Sequence, residues 1–203
     1  VETYTYEPRV WGCLSDIYSI QGKHEESLKA AEKAVSLSSG SPLLAVTLGR
    51  SLVNTGREEE AREHLEKTAG EGAAGEEFFL KWADISRHYP VLGTPVHIYE
   101  KGLERYPGSR ELSYQHSAAV TAEDRERGYQ LWKKRAHQFP SDAGILIQFM
   151  SAAAATGQDR DVETCGRDLL SCNKNPTLFK TAGGICTRTG AYETAIELFS
   201  KYL

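Results

Sequence analysis

One feature constrains the fold of this 203-residue chain more than any other: its apolar, glycine and proline positions recur at a near-constant step. The first unit reads Pro8, Trp11, Leu14 and Tyr18, then Gly22, Leu28, Ala31 and Ala34. A shift of 34 residues, Pro8 to Pro42, brings Leu48-Gly49, Leu52, Gly56, Ala61 and Leu65 into the same phase. A second such shift brings Phe79, Trp82-Ala83, Tyr99, Gly102-Leu103 and Pro107. Two one-residue deletions follow without loss of phase. Trp132 and Pro140 hold it, then Leu146, Phe149-Met150, Ala153, Gly157 and Leu169-Leu170, then Pro176, Phe179, Ala182-Gly183, Gly190, Ala195 and Phe199. Self-similarity at such a period is the mark of a stacked-repeat architecture.

Within each unit the apolar spacing is helical, and few stretches alternate as strands do. Gly22, Gly56, Gly157 and Gly190 stand where a first helix has to end, because glycine closes a helix in the left-handed conformation without a Cβ clash. Pro8, Pro42 and Pro176 stand at helix starts, where the missing N–H costs nothing. Small residues at Ser15, Gly49, Ala83 and Gly183 let the second helix approach the first. Each hairpin then leaves an apolar face that only the next hairpin covers. The expectation is an all-α array of about six helix-turn-helix repeats over 8–203, with bounds near 8–41, 42–75, 76–108, 109–142, 143–175 and 176–203.

Two places depart from the pattern. Pro90 replaces the turn glycine of repeat three, so Tyr89–Pro95 reads as a longer, stiffer connection. Repeat four turns through Ala122-Glu123-Asp124-Arg125 with no glycine. Gly70–Gly75 reads as a long flexible turn between repeats two and three. Repeat six stops at Leu203 without a polar solvating helix after it, which suggests a fragment of a longer protein, or an end covered by further domains or a second copy.

These residues resemble the tetratricopeptide repeat family, whose 34-residue unit pairs Trp, Leu-Gly and Tyr on helix A with Ala, Phe, Ala and Pro on helix B. Trp11, Leu14, Tyr18 and Ala34 carry the likeness in repeat one, Leu48-Gly49, Gly56 and Ala61 in repeat two, and Gly183, Gly190, Ala195 and Phe199 in repeat six. The resemblance implies a right-handed α-α superhelix whose A helices line a concave groove that receives peptides. Val96–Gln115 is also similar to the half-a-TPR variant of RNA-processing scaffolds.

Composition narrows the function. Hydrophobic residues are 40% and charged residues 26%, with a net charge of −4, so no basic excess points to nucleic acid or anionic lipid. No apolar run reaches the roughly 20 residues that span a bilayer. The opening Val-Glu-Thr-Tyr-Thr-Tyr lacks the features of a signal peptide. Four cysteines are too few for a disulfide scaffold, which favours a cytoplasmic setting. Cys13, Cys165, Cys172 and Cys186 read as small packed fillers rather than zinc ligands. No phosphate-binding glycine motif, nucleophile elbow or His-Glu-x-x-His is present, and no two of the six histidines share metal-ligand spacing. The expectation is no enzyme, no cofactor and no metal.

The expected partner is a protein or peptide, without membrane and without direct nucleic-acid contact. The resemblance places helix A positions 2, 5, 9, 12 and 13 on the groove. Among these, Asp16, Arg50, Val53, Asn54, Leu80, Asp84, Arg87, His88, Ile147, Lys180 and Arg188 are the candidate binding residues. The family's clamp for a C-terminal carboxylate needs Lys and Asn on successive A helices. Gly12 and Asp16, Arg50, then Leu80 and Asp84 stand there instead, so that mode is absent. A segment of alternating apolar and charged residues suits the remaining set. The alternatives are a docking or oligomerisation domain of a larger enzyme, such as a transferase, and a half-a-TPR scaffold.

Overall fold

The structure, a computed structural model, describes residues 7–38, 40–172 and 175–203; the leader-free reading of the first six residues lies outside them. Twelve α-helices and no strand occur among the described residues. They pair as α1 (Pro8–Ile20) with α2 (His24–Leu37), α3 (Pro42–Asn54) with α4 (Glu58–Gly70), and α5 (Glu76–Ser86) with α6 (Pro95–Arg105). The later pairs are α7 (Arg110–Glu123) with α8 (Arg125–Gln138), α9 (Ala143–Ala155) with α10 (Asp159–Cys172), and α11 (Pro176–Arg188) with α12 (Tyr192–Tyr202). The all-α stacked-hairpin fold expected from the repeat is the one observed.

The turn chemistry is the same at all four glycine positions. Gly22, Gly56, Gly157 and Gly190 have φ between 72° and 80°. After α1, the Lys23 N–H donates to the Tyr18 carbonyl at 2.9 Å and the Gly22 N–H to Ser19 at 3.0 Å. This double closure satisfies two orphan carbonyls at once. The same pair of bonds recurs as Arg57 to Leu52, Gln158 to Ala153 and Ala191 to Cys186, each with its glycine.

The two departures are built differently. After α5 the chain makes a 3-10 turn over Pro90–Leu92 and reaches Gly93 at φ 108°. The Trp82 indole N–H donates to the Leu92 carbonyl at 3.0 Å and ties this connection to α5. Between α7 and α8 a single residue, Asp124, caps the second helix by accepting from the Glu126 and Arg127 N–H groups, both at 3.0 Å. The glycine-rich stretch after α4, read in the sequence as a flexible joint, is pinned. Arg105 donates to the Ala69 and Glu71 carbonyls, and the Tyr106 hydroxyl donates to Ala74 at 2.7 Å.

The chain divides into two compact units, 1–112 and 113–203, with the division inside α7. In the first, α1 packs on α2 and α3, and α3 on α4 and α5. Its core holds Leu28, Ala31, Leu65, Phe78, Phe79 and Trp82. Ser15, Ser27 and Ser51, one from each of α1, α2 and α3, are fully buried and bond to one another at 3.0–3.1 Å. In the second unit the core runs through Trp132, Ile145, Met150, Val162, Leu169, Phe179 and Leu198. There the Phe199 ring lies so close to Gly183 that an added Cβ would stand 2.9 Å from it.

Cys165 and Cys186 are buried as expected, but Cys13 is exposed, a correction to its reading as a packed filler. It stands at the α1 position that Thr47 and Lys81 occupy on α3 and α5, and Lys81 is exposed as well. Trp11 and Phe199 are half-buried, and Phe199 packs against the core of the second unit. No helix among the described residues is long and apolar enough to cross a membrane.

Candidate functional site

In the first unit the three A helices lie side by side, α1 against α3 and α3 against α5. A cleft of about 460 Å³ runs across them. Its lining follows the repeat, because residues at i, i+3, i+4 and i+7 share one face of a helix. On α1 these are Arg9, Gly12, Cys13 and Asp16; on α3, Leu43, Val46, Thr47 and Arg50; on α5, Lys81, Asp84 and Ile85. Cys13, Thr47 and Lys81 are the same position of successive repeats.

The five-position template taken from the family omits that place, which is why Lys81 and Cys13 were missed in the sequence. The signal that finds them is the helical row through Arg9 and Asp16, continued to i+4. Arg9, Leu43 and Val46 lay on the template.

The charged groups divide into committed and free ones. Arg50 Nη2 donates to Asp16 Oδ1, joining α1 to α3. The Arg87 guanidinium stands 3.5 Å from Asp84 and also donates to the Tyr99 hydroxyl at 3.1 Å. Arg9 and Lys81 form no ion pair among the described residues. Three cations against two carboxylates leave the cleft positive, around an apolar centre of Leu43, Val46 and Ile85.

Asn54 belongs to a different structure. Its side-chain amide donates to the Ser19 hydroxyl at 3.2 Å and accepts from the Tyr89 hydroxyl at 2.8 Å. The three residues tie together the C-terminal ends of α1 and α3 and the turn that follows α5. Val53 and Leu80 are half-buried and His88 is exposed, and none of the three lines the cleft.

The remaining sequence candidates lie in the second unit. Ile147 is buried in its core and does not line the α1–α3–α5 cleft. Lys180 is exposed, with Nζ 5.6 Å from the centre of the Tyr202 ring. Arg188 is exposed on the last turn of α11. Among the described residues, no group of three or more His, Cys, Asp or Glu side chains could hold a metal ion.

Comparison with known proteins agrees with this geometry at the level of fold. Residues 8–40 match the family model described as Tetratricopeptide repeat. No curated protein matches the sequence. Among solved structures, PilF of Pseudomonas aeruginosa is 9% identical with a TM-score of 0.52, over 94% of this chain and 88% of that one. MamA from AMB-1 is 15% identical with a TM-score of 0.52, over 79% of this chain and 89% of that one. YrrB, described as a TPR protein with an unusual peptide-binding site, is 15% identical with a TM-score of 0.46, over 100% of this chain and 95% of that one.

Proposed function

We propose that this chain, a tetratricopeptide-repeat protein by the sequence of residues 8–40 and by its fold, is a protein-interaction scaffold that binds a partner segment in the cleft across α1, α3 and α5. The observation that carries this reading is the cleft itself: an apolar floor of Leu43, Val46 and Ile85, flanked by Arg9 and Lys81, neither of which forms an ion pair among the described residues. A segment with apolar side chains for the floor and acidic ones for the two cations fits it, in extended or helical form. Asp16, Arg50 and Asp84 shape the walls through their ion pairs.

The single array over 8–203, the absence of catalysis and a cytoplasmic placement belong to the same proposal. Four thiols free of disulfides accord with the last of these. The test is a selection of random displayed peptides on the wild-type chain, followed by affinity measurement on the Arg9→Glu/Lys81→Glu variant. Both side chains are exposed at the cleft and form no ion pair among the described residues, so their reversal leaves the fold intact. The expected peptides alternate apolar and acidic residues and lose at least about tenfold in affinity on the variant, as reversal of two complementary charges implies. Peptides that bind the variant equally well would contradict the reading.

A further inference from the structure

A second cavity lies in the other unit, on helices the proposed function does not use. It is a furrow of about 540 Å³ between the two B helices α8 and α10, with the start of α9 as its floor. The floor is apolar, formed by Leu146, Phe149 and Ala136 with the buried Cys165 thiol. That thiol donates to the Leu146 carbonyl at 3.3 Å, and burial pushes its pKa up, so it stays an uncharged part of the floor. The volume falls in the range of sites that enclose small ligands or single side chains.

The rim is asymmetric. At one end Lys133 bridges the helices, with Nζ 2.8 Å from Asp161 Oδ2, and the Tyr129 hydroxyl donates to the same oxygen at 2.6 Å. Burial works against the Asp161 carboxylate, but the hydrogen bonds from Lys133 and Tyr129 outweigh it and hold its pKa below the ordinary value. Two helical turns further along the same face of α10 stands Asp168, exposed, with no cation paired to it among the described residues. The corresponding furrow of the first unit, between α4 and α6, is closed differently. There Lys101 pairs with Glu66, and Arg105 spans to the Ala69 and Glu71 carbonyls. In that furrow a basic side chain of the chain itself, Arg105, lies across the gap. Among the described residues, no such side chain lies at the Asp168 end of the α8–α10 furrow.

We propose that the furrow between α8 and α10 is a second binding site, which takes a lysine or arginine side chain of a partner segment. The aliphatic stem lies on Leu146 and Phe149, and the cationic head meets the Asp168 carboxylate beside the Ser171 hydroxyl. Charge complementarity selects this occupant: with Lys133 neutralised by Asp161, the unmatched charge of the lining is negative. Long basic side chains carry the required combination of apolar stem and polar head.

The test uses the full chain and the acetylated, amidated tripeptide Phe-Lys-Leu, with counterparts that carry norleucine or glutamate in place of lysine. Binding is read from amide NMR shifts. The lysine peptide is expected to shift α8 and α10 resonances and to bind more tightly than either counterpart. D168N should weaken it by about fourfold, the scale of one partly exposed charge pair, and leave the norleucine peptide unchanged. Ser171→Trp, on the exposed rim, should close the furrow to all three without disturbing the core. Equal binding of the norleucine peptide, no effect of D168N, or shifts confined to α1, α3 and α5 would overturn the assignment. So would tighter binding of spermidine than of the lysine peptide, which would make a free polyamine the occupant.

Discussion

Arg50 and Asp16 meet across one full repeat: the guanidinium donates to a carboxylate 34 residues earlier, on the neighbouring A helix. Both were nominated by the sequence as contacts for a partner, and each is first a contact for the other. The Arg50 Nε is buried without a partner, so its side chain is held close against the helices rather than extended into the cleft. Arg50→Ala is expected to cost about 1 kcal/mol of stability, since Asp16 remains half-exposed and can be rehydrated. Arg50→Glu should cost more, because it sets two carboxylates face to face. The double exchange Asp16→Arg/Arg50→Glu should recover most of the loss in urea melts.

The buried serines of α1, α2 and α3 make a second prediction. Ser15, Ser27 and Ser51 each satisfy the others, and Ser27 also donates to the Ser15 carbonyl at 2.9 Å. Removing one hydroxyl leaves two with fewer partners in a dry site, at about 1 kcal/mol per single alanine substitution. Removing all three leaves no polar group to satisfy. The triple alanine variant should therefore be destabilised by clearly less than the sum of the singles, a non-additivity that thermal denaturation would read directly.

Two adjacent glycines on α11 separate close packing from mere helix propensity. An added Cβ at Gly183 meets the Phe199 ring at 2.9 Å, whereas at Gly184 it meets nothing within 4 Å. Gly183→Ala should destabilise by about 1–3 kcal/mol through overpacking. Gly184→Ala should stabilise by about 0.5–1 kcal/mol, as expected for a helical glycine with free space around it. Opposite signs in a chemical melt are the expected result.

Much of this was legible in the sequence. The helix ends closed by Gly22, Gly56, Gly157 and Gly190 were legible in the repeat phase, because a turn glycine there has one structural meaning. Gly183 was recognisable as a point of close approach because small residues recur at its place in the repeat. The candidate site was only half legible. Phase tells which face of a helix a residue occupies, but not whether its side chain is spent on a neighbour. Arg50, Arg87 and Asn54 sit on the expected face and are taken up by Asp16, Asp84 and Tyr89. Ile147 is on an A helix whose surroundings bury it. Lys81 falls outside the expected set because the family template skips its row, passing from Leu80 to Asp84. Cys13 departs from the packed-filler expectation because its repeat position, shared with Thr47 and Lys81, lines the cleft and not the core.

His64 on α4 gives the pH dependence a definite sign. Its Nε2 is buried without a partner, and burial lowers its pKa from the usual 6.5, outweighing the opposite pull of Glu71. The folded state thus resists a proton that the unfolded state accepts. The contribution is fully present above the unfolded pKa of about 6.5 and is lost as pH falls towards the folded one. Stability should decline as pH falls through the unfolded pKa of about 6.5, and His64→Gln should flatten that decline. The His64 ring resonances should titrate with a midpoint below that of an unfolded histidine.

Cys13 offers the most direct measurement of binding in the α1–α3–α5 cleft. It is the exposed thiol of the four cysteines and lines that cleft, while Cys165 and Cys186 are buried. A peptide seated across the three helices has to cover it. Its reaction with a thiol reagent should slow in proportion to the fraction of chain bound, and Arg9→Glu/Lys81→Glu should abolish that protection. A Cys13 that reacts at the same rate with and without saturating peptide would contradict binding in this cleft.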